Sequence, residues 1–325
     1  MNKKIICIML CLTGLLTGCS SSRDIISYHP EAQTKVQLAE EKQEKLFASD
    51  LAVIKEEELD TEDSVMKSSA SLVMNRTTGE VVYANNAFAK LYPASITKIS
   101  TALMALKYGK LDDMVTISYN ASHITESGAK LCGFLEGDQI SLRSLLNSML
   151  VYSGNDAAIA IAEHLYGTES EFSKKVNEEM KALGATHTNF MNSNGLDHKE
   201  HYTTAYDLYL IFNELLNYEE FTSIIKKDLF KAEYKTADGR QVLKYLENTN
   251  QYLIGIKEAP PGITVLGGKT GTTTNAGYCL ILYSKDSKGN EYISLVLNAE
   301  NKPQLYQQMN HLLEKIPAQR NGKNH

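Results

Sequence analysis

Apolar and polar positions divide the chain into three textures. Lys3 and Lys4 precede an apolar run from Ile5 to Leu16, broken only by Thr13 and Gly14. A membrane-spanning helix needs about 20 such residues, so the run reads as the core of an export signal with its charged leader. It ends in Leu16-Thr17-Gly18-Cys19, followed by three serines. Residues 20–64 are acidic and poor in apolar positions. A stretch such as 37–47 has helical character, but the segment lacks the apolar surface for a core and reads as a flexible tether.

From Ser68 the pattern becomes that of a folded domain, expected over 65–320. Ala70–Asn75 and Glu80–Ala84 read as strands joined by the turn Arg76–Gly79, a hairpin. An apolar helix follows from about Ser95 and stops near Tyr108-Gly109. Helical periodicity dominates 138–217, with Leu142–Val151, Asp156–Tyr166 and Glu171–Leu183 as its clearest stretches. Ile263–Leu266, Tyr278–Tyr283 and Tyr292–Leu297 are β-rich, with a hairpin loop at Lys285–Asn290, and a last helix covers Gln304–Ile316. Strands at both ends with helices between predict an α+β fold. Both ends of the domain build one antiparallel sheet flanked by helices, and a mostly helical lobe is inserted.

Charge narrows the partners. The net charge is −6, yet residues 31–63 alone hold eleven Asp/Glu against four Lys/Arg, leaving the rest close to neutral. No basic face for nucleic acid is evident. Of five cysteines, Cys7, Cys11 and Cys19 lie in the first twenty residues, and Cys132 and Cys279 stand far apart. None has metal-ligand spacing, so no metal site is expected. Cys132 and Cys279 fit either a disulfide or two small buried thiols.

The candidate chemistry begins at Pro93-Ala94-Ser95-Ile96-Thr97-Lys98. Residues three apart share a helix face, so Lys98 stands over the Ser95 hydroxyl. A serine needs an adjacent base to become a nucleophile, and a lysine serves as that base only when its pKa is lowered. Free N–H groups at the helix start favour a developing oxyanion. Ser-x-x-Lys also occurs at Ser64/Lys67, Ser127/Lys130 and Ser223/Lys226, so spacing alone decides nothing. Two further motifs single out the Ser95 copy. Ser153-Gly154-Asn155-Asp156 sits between two helical stretches, where it also reads as a helix cap. Lys269-Thr270-Gly271-Thr272 follows a strand after Gly267-Gly268, and its glycine lets a ligand approach the backbone.

In this order, separated by 58 and 116 residues, the three motifs resemble the penicillin-binding and serine β-lactamase superfamily. Their context is similar to the low-molecular-mass D-alanyl-D-alanine carboxypeptidases. Asn189-Phe190-Met191-Asn192-Ser193-Asn194-Gly195-Leu196, His201–Leu208 and Asn248-Thr249-Asn250 match that family too, over about residues 65–300.

The resemblance implies a serine peptidase that removes the terminal D-alanine from peptidoglycan stem peptides and is acylated by β-lactams. Ser95 is the implied nucleophile, Lys98 its base and Ser153 a proton relay. Asn155 would hold the substrate amide, Lys269 and Thr270 the terminal carboxylate, and the N–H groups of Ser95 and Thr272 the oxyanion, with Gly271 between. Lys269 and the helix dipole would hold down the pKa of Lys98. No cofactor is required. Cys19 reads as a lipidation site that anchors an exported protein to the outer face of the cytoplasmic membrane, with an ordinary secretory signal as the other reading. The extra C-terminal β domain of many family members is not expected. The competing readings are a class A-like β-lactamase, which needs a deacylating glutamate signature not evident after Asn155, a transpeptidase or endopeptidase, and a non-catalytic sensor of cell-wall peptides.

Overall fold

The computed structural model describes residues 63–318. The expected signal segment 1–19, the lipidation candidate Cys19 and nearly all of the stretch 20–64 lie outside the described residues. At the start of the described chain, Asp63 pairs with Lys315 at 2.7 Å and with His311 at 2.8 Å. Although its burial works the other way, the hydrogen bonds from Lys315 and His311 hold its carboxyl down to about 2.

The main sheet has five antiparallel strands, drawn from both ends of the domain. They are β1 (Ala70–Asn75), β2 (Val81–Asn85), β7 (Ile263–Thr273), β8 (Gly277–Asp286) and β9 (Glu291–Ala299), in the order β2-β1-β9-β8-β7. Helices cover both faces, so the strands read as nearly continuous apolar runs while still alternating in direction. Val73, Leu280, Leu282 and Val296 face the last helix, Lys302–Ala318, and pack on its Leu305, Met309 and Leu312. Leu72, Met74, Ile281, Ile293 and Leu295 point the other way, into the larger core. At its centre runs α1 (Lys98–Tyr108), buried from Lys98 to Ala105.

The inserted lobe carries α2 (Tyr119–Ser122), α3 (Leu142–Asn147), α4 (Asn155–Tyr166), α5 (Glu169–Ala182), α6 (Ala205–Leu215) and α7 (Glu219–Ile225), and the closing helix is α8. The lobe also contains a second antiparallel sheet that the hydrophobic pattern does not announce. It is ordered β3 (Met114–Thr116), β4 (Gln139–Ser141), β5 (Leu229–Lys235) and β6 (Gln241–Glu247). Cys132 and Cys279 are both free, buried thiols.

Candidate active site

Ser95 lies in a single 3-10 turn, Ala94–Thr97, that leads directly into α1. The turn is held in an unusual backbone shape, with Ala94 at a φ of 49°. Its carbonyl accepts a hydrogen bond from Thr97 Oγ1 at 2.8 Å. His201 Nδ1 accepts from the Met191 N–H at 3.0 Å, so its Nε2 carries the proton and donates to Thr97 Oγ1 at 2.8 Å. Burial pushes this imidazole down to about 3, so it stays neutral. Gly195 lies directly beneath: a Cβ there would stand 1.9 Å from the Ala94 oxygen. No other residue fits under the serine turn.

Lys98 is fully buried, and its Nζ has three oxygens around it: Ser95 Oγ at 2.9 Å, Asn155 Oδ1 at 2.7 Å and the Asn194 carbonyl at 2.5 Å. The amide and carbonyl oxygens only accept, so they take two N–H groups. In the neutral amine the remaining tetrahedral position is the lone pair, aimed at the Ser95 hydroxyl. Burial lowers the Lys98 pKa to about 7, against the pull of Asp156 and Glu169. The expected cause was Lys269 with the helix dipole; exclusion from water is the larger effect, because an ammonium without hydration is disfavoured wherever it is buried.

Ser153 ends a short π-helical turn, Ser148–Tyr152, in left-handed backbone geometry with φ 71°. A non-glycine residue held there costs energy that the surrounding packing must supply. Its Oγ accepts a hydrogen bond from Lys269 Nζ at 2.8 Å. Lys269 is also buried, and burial together with the nearby Lys98 and Lys130 lowers its pKa well below the ordinary value. Two amines sharing one buried space cannot both stay charged without a counter-ion. The serine of each of the first two motifs is thus hydrogen-bonded to a lysine.

The glycine-flanked motif was expected at a strand end; in the structure β7 continues through Gly267-Gly268 to Thr273. As the edge strand of the main sheet, β7 turns one row of backbone groups outward. Gly271 lets it touch the serine turn, since a Cβ there would lie 2.8 Å from the Pro93 oxygen and 3.1 Å from Ile96 N. Thr249 and Thr270 share a hydroxyl hydrogen bond at 2.6 Å. Ser95, Ser153, Thr249, Thr270, Gly271 and Thr272 all line one cavity of about 240 Å³. All the candidate side chains in the described residues meet there or directly behind it.

Three contributors had no assigned role from sequence. The Asn194 carbonyl orients Lys98, and a main-chain group leaves no trace in residue identity. The Asp156 carboxylate gathers the N–H groups of Cys132, Gly133 and Phe134 at 2.9, 2.7 and 3.3 Å, bracing the loop opposite β7. Glu169 binds the N–H and hydroxyl of Ser193 and so holds the loop behind Lys98. Among the described residues no group of three or more His, Cys, Asp or Glu is placed to hold a metal ion.

A family model described as D-alanyl-D-alanine carboxypeptidase matches residues 56–301. Among curated relatives, the D-alanyl-D-alanine carboxypeptidase DacF of Bacillus subtilis is 35% identical over 78% of this chain and 63% of its own length. DacC of Escherichia coli is 34% identical over 71% of this chain and 56% of its own. The chain therefore spans only about three fifths of those relatives. Among solved structures, the Streptomyces K15 DD-transpeptidase superposes with a TM-score of 0.69 and 27% identity, covering 77% of this chain and 96% of that one.

Proposed function

This chain belongs to the D-alanyl-D-alanine carboxypeptidase family, and from that premise we propose that it is a serine peptidase releasing the terminal D-alanine of peptidoglycan stem peptides. One observation carries the reading: Ser95 Oγ to Lys98 Nζ at 2.9 Å and Ser153 Oγ to Lys269 Nζ at 2.8 Å, both pairs beside one cleft.

In the proposed reaction neutral Lys98 takes the Ser95 proton as Oγ attacks the carbonyl between the two D-alanines. The N–H groups of Ser95 and Thr272 receive the oxyanion, and losing one such donor typically costs about 100- to 1,000-fold. The stem peptide lies along the outer edge of β7, with Asn155 on its amide. Lys269, Thr270 and Gly271 receive the free carboxylate, whose charge works against the burial that lowers the Lys269 pKa. The proton taken up by Lys98 is relayed through Ser153 to the departing amine, the C–N bond breaks, and D-alanine leaves. Water then hydrolyses the acyl-enzyme. A β-lactam presents a strained amide beside a carboxylate and acylates the same serine. Replacing Ser95 by alanine should abolish both D-alanine release and labelling by a fluorescent penicillin; survival of either sinks the assignment.

A second reading follows from the likeness to the DD-transpeptidase, in which an amine replaces water at the acyl-enzyme. Adding an amino-acid acceptor and looking for a transfer product separates the two. We also propose export and lipid anchoring through Cys19, supported by the charged leader, the apolar run and Leu16-Thr17-Gly18-Cys19. Labelled palmitate should enter the intact protein and not a Cys19→Ala variant.

A further inference from the structure

A second cavity, of about 410 Å³, shares no lining residue with the cleft beside Ser95. Its volume is that of a small-molecule site. The wall carries Lys90, Tyr92, Lys199, Tyr202, Asn275 and Asn298. Two aromatic rings and two amides in one concave space suit a ligand ring rich in hydroxyls. The rings take its C–H faces, and each amide offers a donor and an acceptor together. Only main-chain atoms of Asn275 are engaged among the described residues: its N–H donates to Asp197 Oδ2 at 3.3 Å and its carbonyl accepts from Asn298 Nδ2 at 3.5 Å. Asn298 is held at a φ of 62° inside β9, a backbone shape that the surrounding packing must maintain.

Charge around the cavity is balanced. Lys90 Nζ sits 4.4 Å from the centre of the Tyr202 ring, and Lys199 is the other cation of the wall. Asp197 and Glu200 flank Lys199 in the same loop, with Asp197 tied to Thr273 Oγ1 at 2.6 Å. Two amines and two carboxylates give no net attraction for an anion, so the site suits a neutral polar ligand.

The chain ties this cavity to the cleft from two sides. Tyr92 stands three residues before Ser95, and Asn275 three after Thr272, in the turn between β7 and β8. With the carboxylate at residues 269–271 and the oxyanion at Thr272, a peptide along β7 has its leaving end toward Lys269. Its acyl end points toward Thr273 and the turn that carries Asn275. From Thr272 to Asn275 the chain spans at most about 11 Å. In peptidoglycan the acyl end of the stem is joined to an N-acetylated sugar, and the roughly four residues on that side of the cut bond reach about 13 Å when extended. The sugar is the part of the substrate whose distance from the cut bond matches this cavity.

We propose that the cavity is a subsite for an N-acetylated sugar of the glycan strand, filled while the attached stem peptide lies in the cleft. It rests on the carboxypeptidase reading and extends it: stem peptides still joined to their sugar are better substrates than free ones.

The test is the ratio of kcat/KM for D-alanine release from two substrates, a pentapeptide carrying N-acetylmuramic acid and the same pentapeptide carrying only the lactoyl group. The ratio should favour the sugar by about tenfold, the size of one well-made hydrogen bond. Added salt should leave it unchanged, because the contacts are neutral. It should fall to about one in Tyr202→Ala, survive in Tyr202→Phe, which keeps the ring, and fall in Asn275→Ala as well. A ratio of one with the unmodified enzyme, a ratio undiminished in either alanine variant, or one that collapses with salt would overturn the sugar subsite and leave the carboxypeptidase reading intact. Release from neither substrate by the unmodified enzyme would overturn that reading and the subsite with it.

Discussion

Lowering the pH through the titration of Lys98 perturbs the proposed base without touching a single contact. An ordinary lysine titrates at 10.5, and burial brings this one to about 7. Only the neutral amine accepts the Ser95 proton. With a midpoint near 7, the neutral fraction is about 91% at pH 8 and about 9% at pH 6, a tenfold fall. A solvated lysine would be only about 0.3% neutral at pH 8 and would lose about a further hundredfold by pH 6. The assay is the single-turnover rate constant for acylation by a fluorescent penicillin, followed from about pH 5.5 to 9.5. The rate should rise about tenfold between pH 6 and 8 and then level off. A rate still climbing tenfold per pH unit above pH 9, or one flat across the whole range, would refute the assignment of Lys98 as a base tuned by burial.

The same burial has a stability signature of definite sign. The unfolded chain keeps Lys98 protonated up to its ordinary pKa of 10.5, whereas the folded chain releases that proton from about 7. This group therefore makes stability rise with pH across that window, and urea midpoints measured between pH 7 and 9.5 should increase in the wild type more than in Lys98→Met. Gly195→Ala drives a Cβ against the Ala94 oxygen at a φ of 85°. It should cost about 3 kcal/mol and slow acylation as the serine turn shifts; an unchanged melting temperature would exclude the close approach. Lys269→Gln removes the amine shared by Ser153 and the proposed carboxylate site, and kcat/KM should fall about 100-fold, with most of the loss in KM if anchoring is its main work.

Much of this was legible because it is local. Short, nearly continuous apolar runs in Ala70–Asn75 and Tyr292–Leu297 announce strands wherever they pack, and Lys98 follows Ser95 at helical spacing in any helix. The second sheet was not legible. Strands β3 and β4 are only three residues long, and β5 and β6 alternate exposed positions such as Lys231, Glu233 and Glu247 with few buried ones. Such a pattern does not stand out from a polar connection. The glycines of β7 read as the end of a strand because glycine has low strand propensity; in the fold their missing side chains let the strand continue against the serine turn. The lysine of one dismissed Ser-x-x-Lys copy, Lys130, lines the cleft because of where its loop is pinned, which its spacing from Ser127 cannot convey.

The residue order by itself determined the strands of the main sheet and the longer helices, the α+β class and the three motifs that supply two hydroxyls, two amines and a glycine-flanked strand. Those follow from propensity, periodicity and the chemistry of single side chains. Only the tertiary structure decided that Lys98 loses its hydration, that the Asn194 carbonyl and Asn155 aim its lone pair, and that the loop carrying Lys130 lies along the cleft. A pKa and a lone-pair direction depend on which atoms surround a group in space, and residues 57 and 96 positions away become neighbours only when the chain closes.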